Sequence, residues 1–317
     1  MLRLLLRRLL LGLLTLWLVS LVLFVLTQAL PGDAARAILG REATPERLAA
    51  LRQQLHLDQS PAAQYLHWLR GAVRGDFGRS LADQQPVSRL LGDRLVNSLV
   101  LMAAAALVST VLGVAAGTWS ALRRDRFADH ATSVVTLVLA ALPEFVIGIA
   151  LVVLLSTTVF RVFPAVTLAT PGHPVWTRLD VLVLPVLTMT LAVAPYITRM
   201  LRASMIEVLD SEYVQMARLK GMPERTVIVR HALPNALGPV AQVIALQLAW
   251  LAGGVVVIEY LFRYPGIGQA LVDAVANRDV PMVQAITVVI AAIYVAVNLL
   301  ADMVQILGNA RLRTSLR

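Results

Sequence analysis

The sequence predicts an all-α, polytopic membrane protein: six transmembrane helices, with a helical extracytoplasmic insert between helices 1 and 2. Three observations predict it. Hydrophobic residues make up 58% of the 317 residues and charged residues only 15%, against about 25% charged in a soluble domain. Six apolar runs approach or exceed the roughly 20 residues that a helix needs to cross about 30 Å of hydrocarbon. The long segment between the first two runs, residues 31–94, carries helix-start signals and amphipathic spacing. A disordered chain and an ordinary pair of soluble domains are both excluded by this balance.

The runs cover residues 9–30, 97–122, 132–160, 181–199, 236–259 and 282–307. The first follows Arg3, Arg7 and Arg8, as a signal peptide would. Its apolar stretch exceeds the roughly 7–15 residues of a signal-peptide core, so a retained span is expected. The third is long enough to tilt. Pro143 in the third and Pro195 in the fourth are candidate kinks.

Lys and Arg in the short loops set the orientation. Fifteen lie at the N-terminus, in the loop after span two, between spans four and five, and at the C-terminus. The opposite short loops hold four: Arg161, Arg178, Arg263 and Arg278. Both termini are therefore expected in the cytoplasm. Residues 31–94 carry nine Arg, but loops of this length translocate largely regardless of charge. The expected division is 1–30 (cytoplasmic N-terminus and first helix), 31–94 (insert), 95–307 (transmembrane core, with a cytoplasmic loop at 200–235) and 308–317 (cytoplasmic tail).

The insert has its own helix signals. Thr44 precedes Pro45 and Glu46 as an N-cap, with Leu48, Leu51 and Leu55 following. A second run over 62–73 aligns Tyr65, Leu66, Leu69 and Val73, and Gly75 and Gly78 end it. Pro86 opens a third run that leads into span two. Such an insert serves either as a cap on the bundle or as a docking surface or gate.

The loop between spans four and five reads as helix–turn–helix. Asp210 or Ser211 caps the first helix, on which Tyr213, Met216, Ala217 and Lys220 share a face. Gly221 stands where a left-handed C′ residue belongs. Pro223 starts the next helix and Pro234 limits it. By itself this pattern fits an ordinary interfacial loop as well as a docking element.

The same loop resembles the cytoplasmic motif of membrane-spanning permease subunits of bacterial ABC importers, in the oligopeptide/dipeptide/nickel class of binding-protein-dependent transport inner membrane components. That motif runs Glu-Ala-Ala-x3-Gly-x9-Ile-x-Leu-Pro. Gln215, Met216 and Ala217 take its first three positions, Gly221 its Gly, His231 its Ile, and Leu233 and Pro234 its end. The class variant Tyr-Val-x-x-Ala-Arg-x-Lys-Gly is matched by Tyr213, Val214, Ala217, Arg218, Lys220 and Gly221. Further matches are Pro31-Gly32-Asp33, the Gly75–Ser80 stretch, Glu259 and Phe262 with Tyr264, Pro265, Gly266, Ile267 and Gly268, and Arg278-Asp279-Val280-Pro281 followed by Val283-Gln284. Residues 309–313 depart from the class ending. The insert resembles that of the first of two paired permease types.

The resemblance implies a subunit of the bacterial inner membrane that forms half of a path for di- or oligopeptides, or for nickel or a metal chelate. It implies a second homologous permease subunit, two cytoplasmic ATP-binding subunits that hold ATP and Mg, and a periplasmic substrate-binding protein. It assigns ATPase coupling to Tyr213, Gln215, Met216, Ala217, Arg218, Lys220, Gly221, Pro223, Arg225, Leu233 and Pro234. Arg218, Lys220 and Arg225 either contact an ATPase or face water. This chain has no Gly-x4-Gly-Lys-Ser/Thr phosphate loop, so no cofactor, no catalysis and no ATP hydrolysis are expected of it.

Polar residues inside the spans are the remaining candidates. Glu144 lines the path, meets a cationic substrate, or bonds to a neighbouring helix; a charge at membrane depth costs a few kcal/mol or more. Asn298 and Asp302, one turn apart, are expected to join helices. Gly113 and Gly117 permit close packing, and Trp17, Trp119 and Trp176 suit aromatic belts. There is no Cys, and the five His are far apart, so no metal site is expected. The Arg residues form no dense stripe, so nucleic-acid binding is not expected. A secondary transporter would need coupling-ion sites and an internal repeat, and an intramembrane enzyme a constellation of catalytic side chains; neither pattern stands out.

Overall fold

The computed structural model describes residues 2–29, 44–54, 58–157, 159–167 and 175–308, and among these it is all-α, with one isolated β-bridge between Arg79 and Pro86. Its α-helices of eight or more residues, among the described residues, are α1 (Leu2–Ala29), α2 (Pro45–Gln54), α3 (Pro61–Val73), α4 (Val87–Leu122), α5 (Phe127–Ala141), α6 (Glu144–Val152), α7 (Leu179–Leu209), α8 (Glu212–Leu219), α9 (Leu233–Leu261), α10 (Ile267–Ala276) and α11 (Val280–Gly308). The Pro31-Gly32-Asp33 match, Leu55, His56, His173 and residues 309–317 lie outside the described residues.

Among the described residues five helices are long and apolar enough to cross a membrane. The sixth span is where structure and expectation part. Residues 132–160 do not form one kinked helix: α5 and α6 are separate and bent by 106°. Leu142 and Pro143 between them are extended, with ψ 135° and 143°. A proline removes its own N–H and pushes the residue before it out of the helical region, so the pair breaks the helix instead of bending it. Pro195, by contrast, leaves no break: α7 runs unbroken through both Pro185 and Pro195.

α7 is the axis of the bundle, with fifteen buried residues. α4 lies against it at close range. A Cβ on Gly113 would come 2.8 Å from Ile197, and one on Gly117 would come 2.8 Å from the Thr198 carbonyl. Small residues let the two backbones approach where the hydrophobic effect cannot drive helices together. α9, α6 and α5 complete the wall around Leu184, Met189, Leu201, Leu251 and Ile258.

α1 is peripheral and packs on α11. Arg8 and Asp302 pair near one end of the bundle, and Gln284 donates to Thr27 at 2.7 Å near the other. Asp302 thus joins two helices, as expected. Asn298 does not: its amide donates to Tyr294 O on its own helix at 2.8 Å, which corrects its reading as an interhelical link.

The insert is anchored. Thr44 and Ser60 cap α2 and α3 by accepting from Arg47 N and Ala63 N, both at 3.4 Å. α3 packs on the end of α1 through Tyr65, whose hydroxyl meets Ser20 at 2.8 Å and whose ring sits edge-on to Phe24. The face proposed for α3 is only partly right. Tyr65 is buried, but Leu66 and Val73 are exposed, because Tyr65 and Trp68 take the side toward α1.

Candidate functional site

Three groups of side chains bear on function: a hanging helix at one end of the bundle, a polar knot at the other, and the break between α5 and α6.

α8 follows α7 after a turn at Asp210 and Ser211. Ser211 is the N-cap residue, although its hydroxyl bonds back to Val208 O rather than to the new helix. The far end closes on Gly221, whose φ of +73° only glycine adopts without strain. Gly221 N donates to Arg218 O at 2.9 Å and Met222 N to Ala217 O at 3.3 Å. This is a Schellman turn. Arg218 then reaches across it to Glu224, with Nη2 to Oε1 at 2.6 Å and Nε to Oε2 at 3.2 Å.

The inward face of α8 is Val214 and Ala217, buried with Val227 and flanked by Leu209 and Met222. The outward face is Tyr213, Met216 and Leu219, 46%, 52% and 80% exposed, with Gln215 and Lys220 also exposed. This corrects the expected shared face. Ala217 sits about 100° per residue around from its neighbours, on the turn that meets Val227, so it packs α8 onto the bundle. Leu219 belongs to the exposed side and Val214 to the buried one; neither was singled out as a face residue.

Pro223 precedes the next helix, as expected, and Arg225 is exposed. Pro234 does not limit that helix, which is a correction. Helical structure continues from Glu224 to Leu261, passing Pro234 by widening into a π-helical stretch, Val227–Ala232. Proline at position i cannot donate to the carbonyl four residues back. The wider turn spreads that mismatch, and Asn235 Nδ2 donates to His231 O at 2.6 Å. His231 and Leu233 are half-buried and Pro234 is exposed.

Two ion pairs tie this end of the bundle together. Arg124 reaches Asp210 at 3.0 Å. Arg202 of α7 makes two bonds to Asp129 of α5, which also accepts from Ser120 Oγ at 2.6 Å and from Asp125 N at 3.0 Å. Asp129 is buried. The pair is not visible as a sequence motif because 73 residues separate its members.

At the opposite end Glu259, on the last turn of α9, is fully buried. Its carboxylate accepts from Ser98 Oγ at 2.5 Å, Gly268 N at 2.7 Å and Gln269 N at 3.3 Å. It therefore caps α10, whose own N-cap Gly266 has no side chain to offer. A Cβ on Gly266 would run into that carboxylate. Asn97 donates to Pro265 O at 2.8 Å, and Tyr264 returns a bond to Asn97 O at 2.9 Å. Burial, and then the charge of Glu259, raises the pKa of the Tyr264 hydroxyl, which keeps it a donor. Phe262 packs beneath, 1% exposed. Asp279 caps α11 through Met282 N at 3.3 Å and holds the insert through Ser80 Oγ and Ala82 N. The candidates Glu259, Phe262, Pro265, Gly266, Gly268 and Asp279 thus form a stitched end opposite α8, with Asn97 and Ser98 as partners that sequence reading did not single out.

At the break, Glu144 opens α6 and borders two cavities. One, of about 230 Å³, is lined by residues including Leu142, Tyr196, Gln247 and Trp250. The other, of about 340 Å³, is lined by residues including Trp250, Gly253, Gly254 and Tyr294. Asp302 and Asn298 line neither.

Residues 1–102 match the family described as "Binding-prot-dependent transport system membrane comp, N-term". Residues 109–314 match the family described as "Binding-protein-dependent transport system inner membrane component". Among curated relatives, the Glutathione transport system permease protein GsiC of Escherichia coli strain K12 is 35% identical over 305 residues, which is 96% of this chain and 97% of the relative. The GsiC proteins of Shigella dysenteriae serotype 1 and Shigella flexneri serotype 5b are similar to the same extent over the same length.

Proposed function

The chain belongs to the family of binding-protein-dependent transport system inner membrane components, and from that premise we propose that it forms one half of a path for small peptides of about the size of glutathione. Membership makes it a membrane permease subunit of an ABC importer that works with a binding protein. The rest of the assembly is proposed: a second, homologous permease subunit, two cytoplasmic ATPases that alone bind ATP and Mg, and a binding protein docked on the end stitched by Glu259 and Asp279. The α8 end then faces the cytoplasm, in keeping with the Lys and Arg distribution.

The observation that carries the coupling role is the two-sided nature of α8. Its inner face is packed into the bundle through Val214, Ala217 and Val227, and its outer face leaves Tyr213, Met216 and Leu219 uncovered. A short helix of this kind, clamped at Gly221 and by Arg218–Glu224, can seat in a groove of an ATPase and pass its displacement to α7 and α9. Two packings of the bundle, with populations shifted by ATP, then alternate the opening of the path.

The peptide class is supported by the name of the relatives, whose printed substrate, glutathione, is a tripeptide. Reconstitution tests the reading. This subunit, its permease partner, the ATPases and the binding protein are placed in proteoliposomes, and uptake of labelled glutathione and of dipeptides is followed. Uptake requiring ATP and every partner is expected. Uptake by this chain alone, driven by an ion gradient, would overturn it.

A further inference from the structure

We infer that Glu144, at the break between α5 and α6, receives the protonated amino group of the peptide inside the path. The inference rests on the importer reading above and adds the chemistry of one contact.

Depth comes first. The cavities at Glu144 are bordered by Tyr196, Trp250 and Tyr294, each near the middle of its long helix, α7, α9 or α11. Glu144 therefore stands level with the centre of the bundle. Both cavities touch it, and both touch Trp250.

The charge is unbalanced there. Among the described residues Glu144 has no hydrogen-bond or ion-pair partner, and no Lys, Arg or His lines either cavity. An ionisable group at this depth does not face lipid, because the cost is several kcal/mol. The side of the bundle that carries it therefore turns to water or to a charged visitor.

The break makes the sign definite. Where transporters interrupt a helix at mid-membrane, the bare N-terminus of the second half attracts anions. Here Glu144 occupies that first turn itself. The carbonyl end of α5 lies at the same break, where Leu139 O accepts from Leu142 N at 3.3 Å and Ala140 O from the Tyr196 hydroxyl at 3.4 Å, each with a second lone pair to offer. Carboxylate and carbonyls together select a cation with several donors. Trp250 and Tyr196, 41% and 42% exposed, border the same cavity. An ammonium group with three N–H donors meets all of these; a single carboxylate is too little for a metal ion.

Uptake of glutathione and trialanine is compared with that of their N-acetyl forms, in the full reconstituted complex, for the wild type and for Glu144→Gln. The binding protein is the same in both complexes, so its own selectivity cancels in the variant-to-wild-type ratio. Glu144→Gln should slow the free-amine peptides about tenfold, the worth of one charge-assisted hydrogen bond, and the acetylated forms less than twofold. Glu144→Asp, which keeps the charge, should restore most of the preference. A second readout does not depend on turnover. The chain has no Cys, so a thiol introduced by Glu144→Cys is unique within this subunit. With Cys-free partners it should be reached by both a cationic and an anionic aqueous thiosulfonate, and peptide should protect it. Equal slowing of free and acetylated peptides, or a thiol unreactive to both reagents, overturns the inference while leaving the importer intact. A wild-type complex that moves neither peptide overturns the peptide reading, and this inference with it.

Discussion

Arg202 grips Asp129 with both Nε and Nη2, each at 2.6 Å from a separate carboxylate oxygen. The pair binds α7 to α5 at the end of the bundle that carries α8. Asp129 is buried while Arg202 is partly exposed, so removing Arg202 strands a buried charge and costs up to about 3 kcal/mol. Arg202→Met is expected to lower the melting temperature of the purified subunit sharply, and Asp129→Asn less so. The double variant should lose less than the sum of the two. Thermal unfolding in detergent measures all three, and strict additivity would deny the coupling.

Glycines separate by what a methyl group would meet. Gly266→Ala would push against the Glu259 carboxylate and the cap of α10, and overpacking of this kind costs about 1–3 kcal/mol. Gly92 lies inside α4 with open space around its missing Cβ. Gly92→Ala should stabilise by roughly 0.5–1 kcal/mol, the helical advantage of alanine. The two melting shifts are expected to have opposite signs.

Gly221→Ala has room for its methyl group but not the backbone freedom. A left-handed non-glycine residue costs about 1–2 kcal/mol, so the turn should open and α8 should loosen. Uptake per ATP hydrolysed, measured in the reconstituted complex, should fall, with Gly221→Asn milder than Gly221→Ala. An unchanged ratio in both variants would remove Gly221 from the coupling role.

The two faces of α8 should respond differently. Met216→Ala and Leu219→Ala touch only exposed positions, so stability should stay within about 0.5 kcal/mol while capture of the ATPase subunits weakens. Ala217→Leu crowds Val227 and should cost about 1–3 kcal/mol in stability. Pull-down and melting measurements on the same three variants check the division. A melting loss in Leu219→Ala would place that face inside the bundle.

Hydropathy located α1, α4, α7, α9 and α11, because a long apolar run has few alternatives to a buried helix. The left-handed Gly221 was equally legible, since its place after a periodic helix and before Pro223 admits one turn. Proline was the harder residue to read. Pro195 leaves α7 whole, Pro143 breaks its span, and Pro234 is carried by a wide turn. The outcome depends on whether neighbouring helices and side chains can satisfy the freed carbonyls, which spacing does not encode. Ala217 was misplaced for a related reason: with Tyr213, Met216 and Lys220 it fits one helical arc, and only the position of Val227 decides which edge of that arc is covered. Ser98–Glu259 and Ser80–Asp279 join residues far apart in the chain, so neither pairing carries a local pattern.

The wide turn at Val227–Ala232 sets the angular phase of everything after it. Each α-helical residue advances the azimuth by about 100°, and a π-turn absorbs one residue more than an α-turn. Deleting a single residue there would restore an even pitch and swing Trp250 away from Glu144, and Glu259 away from the α10 amides, in one motion. The stretch thus works as a vernier: it keeps the half of the helix beside α8 in register with the half that holds the cavity and the Glu259 knot.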